Sequence, residues 1–87
     1  MTGIYVLHNP KGKPYVGSST NIPNRWKQYE YPDPTTCGKM LYRSLKKYGF
    51  DNHKKEIIIE CKEEDLDRLE QYYVKKYNSL EDGMNLT

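Results

Sequence analysis

The chain has 87 residues, of which 30% are charged, and a formal net charge of +2. This length has room for one small hydrophobic core, so we expect a single domain over residues 1–87. No run of about 18 apolar residues is present, which excludes a membrane-crossing helix. The segment before the first predicted strand is too short for a signal peptide, and we therefore expect a protein of the cytoplasm or nucleus.

Two short apolar segments near the start predict a β-hairpin. Residues 4–7 and 13–16 flank residues 9–12, whose Asn-Pro-Lys-Gly sequence favours turn geometry. Because hairpin strands lie side by side, we expect Tyr5 and Tyr15 to come close together in space.

A helix is predicted directly after the hairpin. Asn21 suits its N-cap and Pro23 its first turn, which places Arg25 near its N-terminal end. We expect the Arg25 guanidinium and the backbone N–H groups of this helix end to face one anion, such as a phosphate. Tyr29 lies one turn after Arg25 and on the same side of the helix.

A second helix is predicted over residues 39–48, and Gly49 is expected to end it. The expected inward set is Met40, Leu41, Leu45 and Tyr48. Three cations, Arg43, Lys46 and Lys47, then lie on the outside.

The last predicted elements are a strand and a helix. Residues 56–60 form a continuous β-branched run, which predicts a third strand covered by helices on at least one face. A third helix is predicted from Glu63 to about Tyr77. Its core stripe, at three- and four-residue spacing, is Leu66, Leu69, Tyr73, Val74 and Tyr77.

Glu70 lies on that apolar stripe, where a carboxylate needs a partner. Burying an unpaired charge costs on the order of several kcal/mol. Three environments are therefore open: an ion pair with Arg25, Arg43 or Arg68, a metal ion, or a site open to water. Carboxylate oxygen is a ligand that suits Mg²⁺ or Mn²⁺.

Charge is unevenly distributed along the chain. Acidic residues concentrate at 60–67, whereas many of the cations fall in the first two-thirds. One surface is therefore expected to be basic, as in a domain that meets DNA from one side. The basic residues of this region are Lys11, Lys13, Arg25, Lys27, Lys39, Arg43, Lys46 and Lys47.

Histidine and cysteine residues form no metal-binding pattern. His8 and His53 lie at no motif position and are expected to have no role in a site. Cys37 and Cys61 lack the paired spacing of a zinc site. They are expected to be thiols that pack as small apolar residues.

Several short motifs follow one another in a defined order along the chain. They are Gly3-Ile4-Tyr5, Tyr15-Val16-Gly17-Ser18, Arg25-Trp26, the segment 41–49, Glu70 and Gly83-Met84-Asn85. Their order and spacing resemble the GIY-YIG endonuclease superfamily over nearly the whole chain. The segment 41–49 and the Arg-Trp pair look most like the catalytic domains of phage and intron-encoded homing endonucleases. Those relatives carry a histidine before the second helix, whereas residues 35–37 include none.

The resemblance implies a fold and a reaction. The fold is α/β (α+β), a small three-stranded antiparallel sheet flanked by three helices in the order ββααβα. The reaction is hydrolysis of DNA phosphodiester bonds to 5′-phosphate and 3′-hydroxyl ends, with one Mg²⁺ or Mn²⁺ ion per site and no organic cofactor.

It also implies a set of functional residues. The catalytic set is Tyr5, Tyr15, Arg25, Tyr29, Glu70 and Asn85, with Glu70 as the metal ligand. The set expected to contact DNA is Gly17, Ser18, Lys27, Arg43, Lys46 and Lys47. We favour Tyr5 as the general base, with Tyr15 positioning water or phosphate and Arg25 stabilising charge in the transition state.

Other interpretations remain open at this point. The domain is either a stand-alone nuclease or the catalytic part of a longer homing-type or structure-specific repair enzyme. No sequence-reading motif is present, so a separate DNA-recognition domain or a transient dimer is expected. A catalytically silent nucleic-acid-binding module is an alternative, as is a protein-interaction scaffold that uses the acidic third helix.

Overall fold

The computed structural model describes residues 1–33, 38–79 and 83–85. Its strands and helices are β1 (Gly3–His8), β2 (Pro14–Ser19), α1 (Ile22–Tyr29), α2 (Lys39–Tyr48), β3 (Lys54–Glu60) and α3 (Leu66–Lys76). Short 3₁₀ turns at Phe50–Asn52 and Glu63–Asp65 precede β3 and α3. The predicted ββααβα order of an α+β domain is confirmed. The third helix begins later than predicted, because its first residues form the second of these turns.

The three strands form one antiparallel sheet in the order β2-β1-β3. β1 is central, and because neighbours pair with both its edges its residues from Gly3 to Leu7 are buried. The predicted hairpin is confirmed, with Tyr5 opposite Gly17 and Leu7 opposite Tyr15. The hairpin register therefore brings the two motif tyrosines to neighbouring positions of the sheet.

The isoleucine run of β3 lies at a sheet edge. Ile58 belongs to the same apolar cluster as the core stripe of α3, as the prediction of helix cover requires. Ile57 and Ile59 are each 37% exposed, so the run is only half covered. The continuous β-branched run correctly predicted a strand, but it did not predict how deeply that strand is buried.

Each face of the sheet carries its own apolar core. On the face of α1 and α2 the buried side chains are Tyr5, Leu7, Ile22, Tyr29, Leu41, Leu45, Phe50 and Met84. On the face of α3, Ile4, Val6 and Val16 pack against the predicted stripe of that helix. Leu41 and Leu45 of α2 point inward as predicted, whereas Met40 and Tyr48 are only partly buried.

Two of the predicted helix boundaries are confirmed. The Asn21 side chain accepts a hydrogen bond from the Asn24 backbone N–H at 3.2 Å, so it caps α1. Gly49 ends α2 with φ at 82°, a left-handed conformation that favours glycine.

His53 has a structural role that the sequence did not reveal. Its Nδ1 lies 2.8 Å from the Gly49 carbonyl oxygen, and its Nε2 lies 2.7 Å from the Ser44 hydroxyl. The ring is buried, so these two contacts fix the C-terminal end of α2. Cys61 is partly buried, in line with a packing thiol, while Cys37 lies outside the described residues. No described helix is long and apolar enough to cross a membrane.

Candidate active site

Tyr5 and Gly17 face each other across the hairpin. A Cβ atom on Gly17 would lie 2.5 Å from the Tyr5 hydroxyl oxygen, closer than nonbonded atoms approach. The absence of a side chain at Gly17 therefore makes the space that the Tyr5 phenol occupies. This packing explains why the second tyrosine motif has glycine at position 17.

The phenol of Tyr5 is buried beside that of Tyr29. Tyr5 is 1% exposed and Tyr29 is 2% exposed, and their hydroxyl oxygens are joined by a hydrogen bond of 2.6 Å. The Trp26 ring lies edge-on to Tyr5, at 5.9 Å between centroids. α1 thus supplies both the hydrogen-bond partner and part of the wall around Tyr5.

Burial controls the ionisation of this tyrosine pair. Desolvation raises the pKa of both phenols well above the ordinary tyrosine value, and for Tyr5 the bond from Tyr29 only partly offsets it. A hydrogen bond from Tyr15 lowers the pKa of Tyr29, so all three hydroxyls belong to one network. The raised pKa and the burial of Tyr5 count against its predicted role as the general base.

Arg25 lies beside this hydroxyl network. The backbone N–H groups at the start of its helix already have hydrogen-bond partners within the protein. The Arg25 positive charge lowers the pKa of both Tyr5 and Tyr29, which places the guanidinium near their hydroxyls.

The N–H groups of the first turn of α1 bind protein oxygens. The Ile22 N–H donates to Met1, the Asn24 N–H to the Asn21 side chain and the Arg25 N–H to the Asn21 carbonyl, while Pro23 has no N–H. The prediction that these N–H groups face a phosphate is therefore wrong. The Arg25 guanidinium remains the predicted anion-binding group of this helix end.

Glu70 reaches the site from α3 on the other side of β2. The Ser18 hydroxyl donates a hydrogen bond of 3.1 Å to Glu70 Oε2, and the Glu70 side chain is partly buried. Burial raises the pKa of the Glu70 carboxyl, the Ser18 bond lowers it, and the nearby Asp67 charge raises it further. The Glu70 charge also raises the pKa of Tyr5, so the carboxylate lies near the tyrosine network.

The ion-pair explanation of Glu70 is wrong. Over residues 1–33, 38–79 and 83–85 the ion pair present joins Arg68 to Asp65, at 3.3 Å, and none includes Glu70. The carboxylate is therefore held by one hydroxyl and keeps further oxygen lone pairs for another ligand.

A carboxylate beside a hydroxyl is a hard-oxygen donor set of the kind that Mg²⁺ accepts together with water and substrate phosphate. No group of three or more His, Cys, Asp or Glu side chains that could enclose a metal occurs in the described part of the chain. The residues fit an ion held by one protein carboxylate, and they do not fit a closed structural site.

Asn85 is tied to the backbone of β2. Its Oδ1 accepts from the Val16 N–H and its Nδ2 donates to the Val16 carbonyl, both at 2.8 Å. The Met84 N–H donates to the Pro14 carbonyl at 2.7 Å, so this segment lies along the outer edge of β2. Asn85 thus positions the strand between Tyr15 and Gly17. No sequence signal identified Val16 as its partner, because the contact is with backbone atoms.

The residues predicted to contact DNA fall into separate places. Gly17 and Ser18 lie in the site itself, on β2. Arg43 and Lys47 line a groove beside α2 that does not include Lys46. Lys27 lies on α1 in a different depression. Arg43 and Lys47 therefore share one groove, whereas Lys27 lies beside another depression.

Together the fold and the site define a small α+β domain with tyrosine, arginine and glutamate side chains gathered around the edge strand β2. The chain belongs to the GIY-YIG family, since the model of the GIY-YIG catalytic domain matches residues 1–85. It is therefore a GIY-YIG nuclease domain, and the resemblance inferred from the motifs is confirmed.

Two solved structures are similar to this domain. One is a glutamate-to-alanine variant of the catalytic domain of intron endonuclease I-TevI, with a TM-score of 0.79 and 27% identity over 99% of this chain and 93% of that one. The other is the catalytic domain of homing endonuclease I-TevI, with a TM-score of 0.78 and 27% identity over 100% of this chain and 99% of that one. The comparison with curated proteins gave no significant match.

Proposed function

We propose that this domain is a metal-dependent DNA endonuclease that hydrolyses phosphodiester bonds with one Mg²⁺ or Mn²⁺ ion. The observation that carries the proposal is the environment of Glu70, a partly buried carboxylate with a hydroxyl neighbour and no cation paired with it among the described residues. Such a carboxylate is unfavourable for folding alone, and a bound cation accounts for its position. Similarity to a homing endonuclease catalytic domain supports DNA as the substrate.

Glu70 would hold the ion, with water and a substrate phosphate as its other ligands. When bound, the ion supplies positive charge that polarises a phosphate oxygen. Ser18 orients the Glu70 carboxylate through its hydroxyl. Arg25 binds the phosphate and stabilises the negative charge that develops on it as water attacks, an effect of about 10²–10³ in rate for a single well-placed donor.

We assign the proton acceptor to Tyr15 in place of Tyr5. Tyr5 is sealed from water and hydrogen-bonded to Tyr29, whereas Tyr15 is partly exposed on the edge strand. Tyr15, in its phenolate form, orients the attacking water and takes its proton. The new bond from the water oxygen to phosphorus forms as the bond from phosphorus to the 3′ oxygen breaks, and the 3′ oxygen takes a proton from solvent water. Tyr5 and Tyr29 hold Tyr15 in place through the hydroxyl network. A pH–rate profile that flattens in Tyr15→Phe and keeps its shape in Tyr5→Phe supports this assignment, and the reverse overturns it.

Site selection is proposed to lie outside this domain. The sequence carries no helix-turn-helix, zinc-finger or basic-arm motif, so a separate DNA-recognition domain or a transient dimer would direct the cut. One site with one metal cleaves one strand at a time. Cleavage of both strands then requires two domains or two sequential events.

The test is cleavage of supercoiled plasmid with Mg²⁺ or Mn²⁺, comparing the unmodified protein with Glu70→Gln and Arg25→Gln. Glu64→Gln, an exposed carboxylate in the turn before α3, is the matched control. We expect nicking by the unmodified protein and the control, and at least a hundredfold slower nicking by both site variants. All nicking should stop in EDTA.

Equal nicking by all four proteins, or nicking that persists in EDTA, would overturn the metal-dependent mechanism. A folded protein that binds DNA and nicks nothing would favour the silent nucleic-acid-binding module instead.

A further inference from the structure

A groove of about 420 Å³ runs between the β1–β2 turn and α2, outside the site described above. Four of its lining side chains are cationic, and none of the described residues that line it is a carboxylate. They are Lys11 and Lys13 on the turn and Arg43 and Lys47 on the helix, all of them exposed. We propose that this groove binds the sugar–phosphate backbone of duplex DNA next to the bond that is cut, an inference that rests on the proposed nuclease function.

The turn that carries the two lysines is rigidly held. The Asn9 side chain accepts hydrogen bonds from the Lys11 and Lys13 N–H groups, at 3.0 and 2.9 Å. The Asn9 N–H donates to the Lys13 carbonyl and the Gly12 N–H to the Asn9 carbonyl. Gly12 has φ at 82°, which allows the tight reversal. These bonds fix the backbone that presents both cations, so little ordering of the turn is needed on binding.

The opposite wall is equally fixed. Arg43 and Lys47 are four residues apart on α2, one helical turn, and therefore point to the same side. The helix is anchored behind them by Leu41, Leu45 and the Ser44–His53 bond. The Lys47 ammonium lies 5.3 Å from the centre of the Tyr48 ring, which also lines the groove.

The four cations are available for a ligand. The ion pair found in the described residues joins Arg68 to Asp65, and it does not involve the groove. Four cations facing one channel repel each other, and an elongated anion relieves that repulsion. A DNA strand, with one phosphate for each 3.4 Å or so of its length, is such an anion.

The groove adjoins the catalytic strand. Met84 lines it, and the Met84 N–H is bonded to Pro14, the residue between Lys13 and Tyr15. Lys13 lies directly before β2 and two residues from Tyr15, which is about 7 Å at the rise of an extended chain. DNA lying in the groove would therefore place its next phosphates, about two nucleotides on, toward Tyr15 and Arg25. The groove would therefore contact the DNA backbone on one side of the phosphate that is cut.

The distribution of charge between the two ends of the sheet also favours binding of DNA at the groove. The register pairs His8 with Lys54 at the turn end and Gly3 with Glu60 at the other end. The turn end thus carries lysines, and the opposite end leads into the acidic residues 60–67. DNA is attracted to the groove end and repelled from the other.

The test is binding of a fluorescent duplex by anisotropy in EDTA, where no cutting occurs, over a range of salt concentrations. One variant replaces all four groove cations with Gln: Lys11, Lys13, Arg43 and Lys47. The matched control replaces three other exposed lysines and one other exposed arginine with Gln: Lys62, Arg68, Lys75 and Lys76. Both variants lose the same charge.

We expect the slope of log K against log salt to become shallower by about 0.9 for each phosphate that the protein no longer neutralises, which is up to about 3.6 for the groove variant. The slope of the control variant should change by less than about 0.9. If the fourfold variant does not fold, the four single substitutions are measured instead, and each should make the slope of log K against log salt shallower. Circular dichroism and Trp26 fluorescence report on folding.

Equal slopes in the two fourfold variants would overturn the groove proposal. The outcomes also separate it from the nuclease proposal. If the unmodified protein nicks plasmid and the two variants bind alike, the groove assignment fails and the nuclease stands. If binding depends on the groove but no metal supports cutting, the nuclease fails and the groove stands as a DNA-binding surface.

Discussion

The hydroxyl of Tyr5 lies 2.6 Å from the hydroxyl of Tyr29, and both phenols are almost completely buried. The first motif tyrosine is therefore joined to α1 through a hydrogen bond made away from solvent. The net contribution of a buried hydrogen bond to the free energy of unfolding is modest. Removing one of its partners is costly, because the other partner is then buried without a hydrogen bond.

We expect Tyr29→Phe to lower the free energy of unfolding by about 1–3 kcal/mol, because the Tyr5 hydroxyl then lacks this partner. Tyr5→Phe should have a similar effect. The double variant should cost less than the sum, since it leaves neither hydroxyl of the pair unpaired. Urea unfolding of the four proteins measures the coupling, and additive effects would show that the bond contributes nothing to stability.

Gly17→Ala is expected to displace the Tyr5 ring. The added Cβ would lie 2.5 Å from the Tyr5 hydroxyl, and overpacking of this kind costs about 1–3 kcal/mol. Because the ring belongs to the site, nicking should fall together with the melting temperature. In a Tyr5→Leu background the same substitution should cost less, since the clashing atoms are absent. An equal cost in both backgrounds would rule out this contact as the reason for the glycine.

Asn85→Ala should loosen the edge of the sheet next to Tyr15. It removes both bonds to Val16, so a backbone N–H and carbonyl lose their partners, at a cost of about 1–3 kcal/mol. Hydrogen exchange at the Val16 amide should accelerate more than exchange at the Val6 amide on the central strand. Unchanged exchange at Val16 together with a loss of nicking would instead favour a direct catalytic role for Asn85.

His53 makes stability depend on pH. Burial lowers its pKa below the ordinary histidine value, the Gly49 bond opposes this, and the nearby Lys55 charge adds to the lowering. The unfolded chain therefore binds a proton at a higher pH than the folded chain does. The stabilising contribution is complete above the unfolded pKa of about 6.5. It is lost as the pH falls from there through the folded pKa.

We expect the free energy of unfolding to fall below pH 7, by at most about 1.4 kcal/mol per pH unit for this one group. His53→Gln should remove that part of the slope and lower stability at pH 7, because the ring's bonds to Ser44 and Gly49 are altered. His8→Gln is the matched control and should keep the slope. Thermal melts between pH 7.5 and pH 5.5 distinguish the three proteins, and parallel curves would contradict the role of His53.

The local elements of this domain could be predicted from sequence because their signals are local. The Asn-Pro-Lys-Gly turn, the Asn21 cap, the Gly49 terminus and the stripe of α3 each act within a few residues. The motif order further predicted the family, the strand–helix order and the set of Tyr, Arg and Glu side chains that the fold gathers. The isoleucine run of β3 shows the limit, since its burial depends on which strand became central.

The tertiary structure alone decided how the gathered residues are used. Tyr5 is buried because Gly17 on the paired strand leaves space for it, and this burial raises the pKa of its phenol. The Ile22 N–H at the start of α1 is occupied by the Met1 carbonyl, which only the tertiary packing brings to this helix end. The residue types of the site determined which chemical groups are available. Packing determined the role of each group, because the solvation and the hydrogen-bond partners of a polar group depend on atoms distant in sequence.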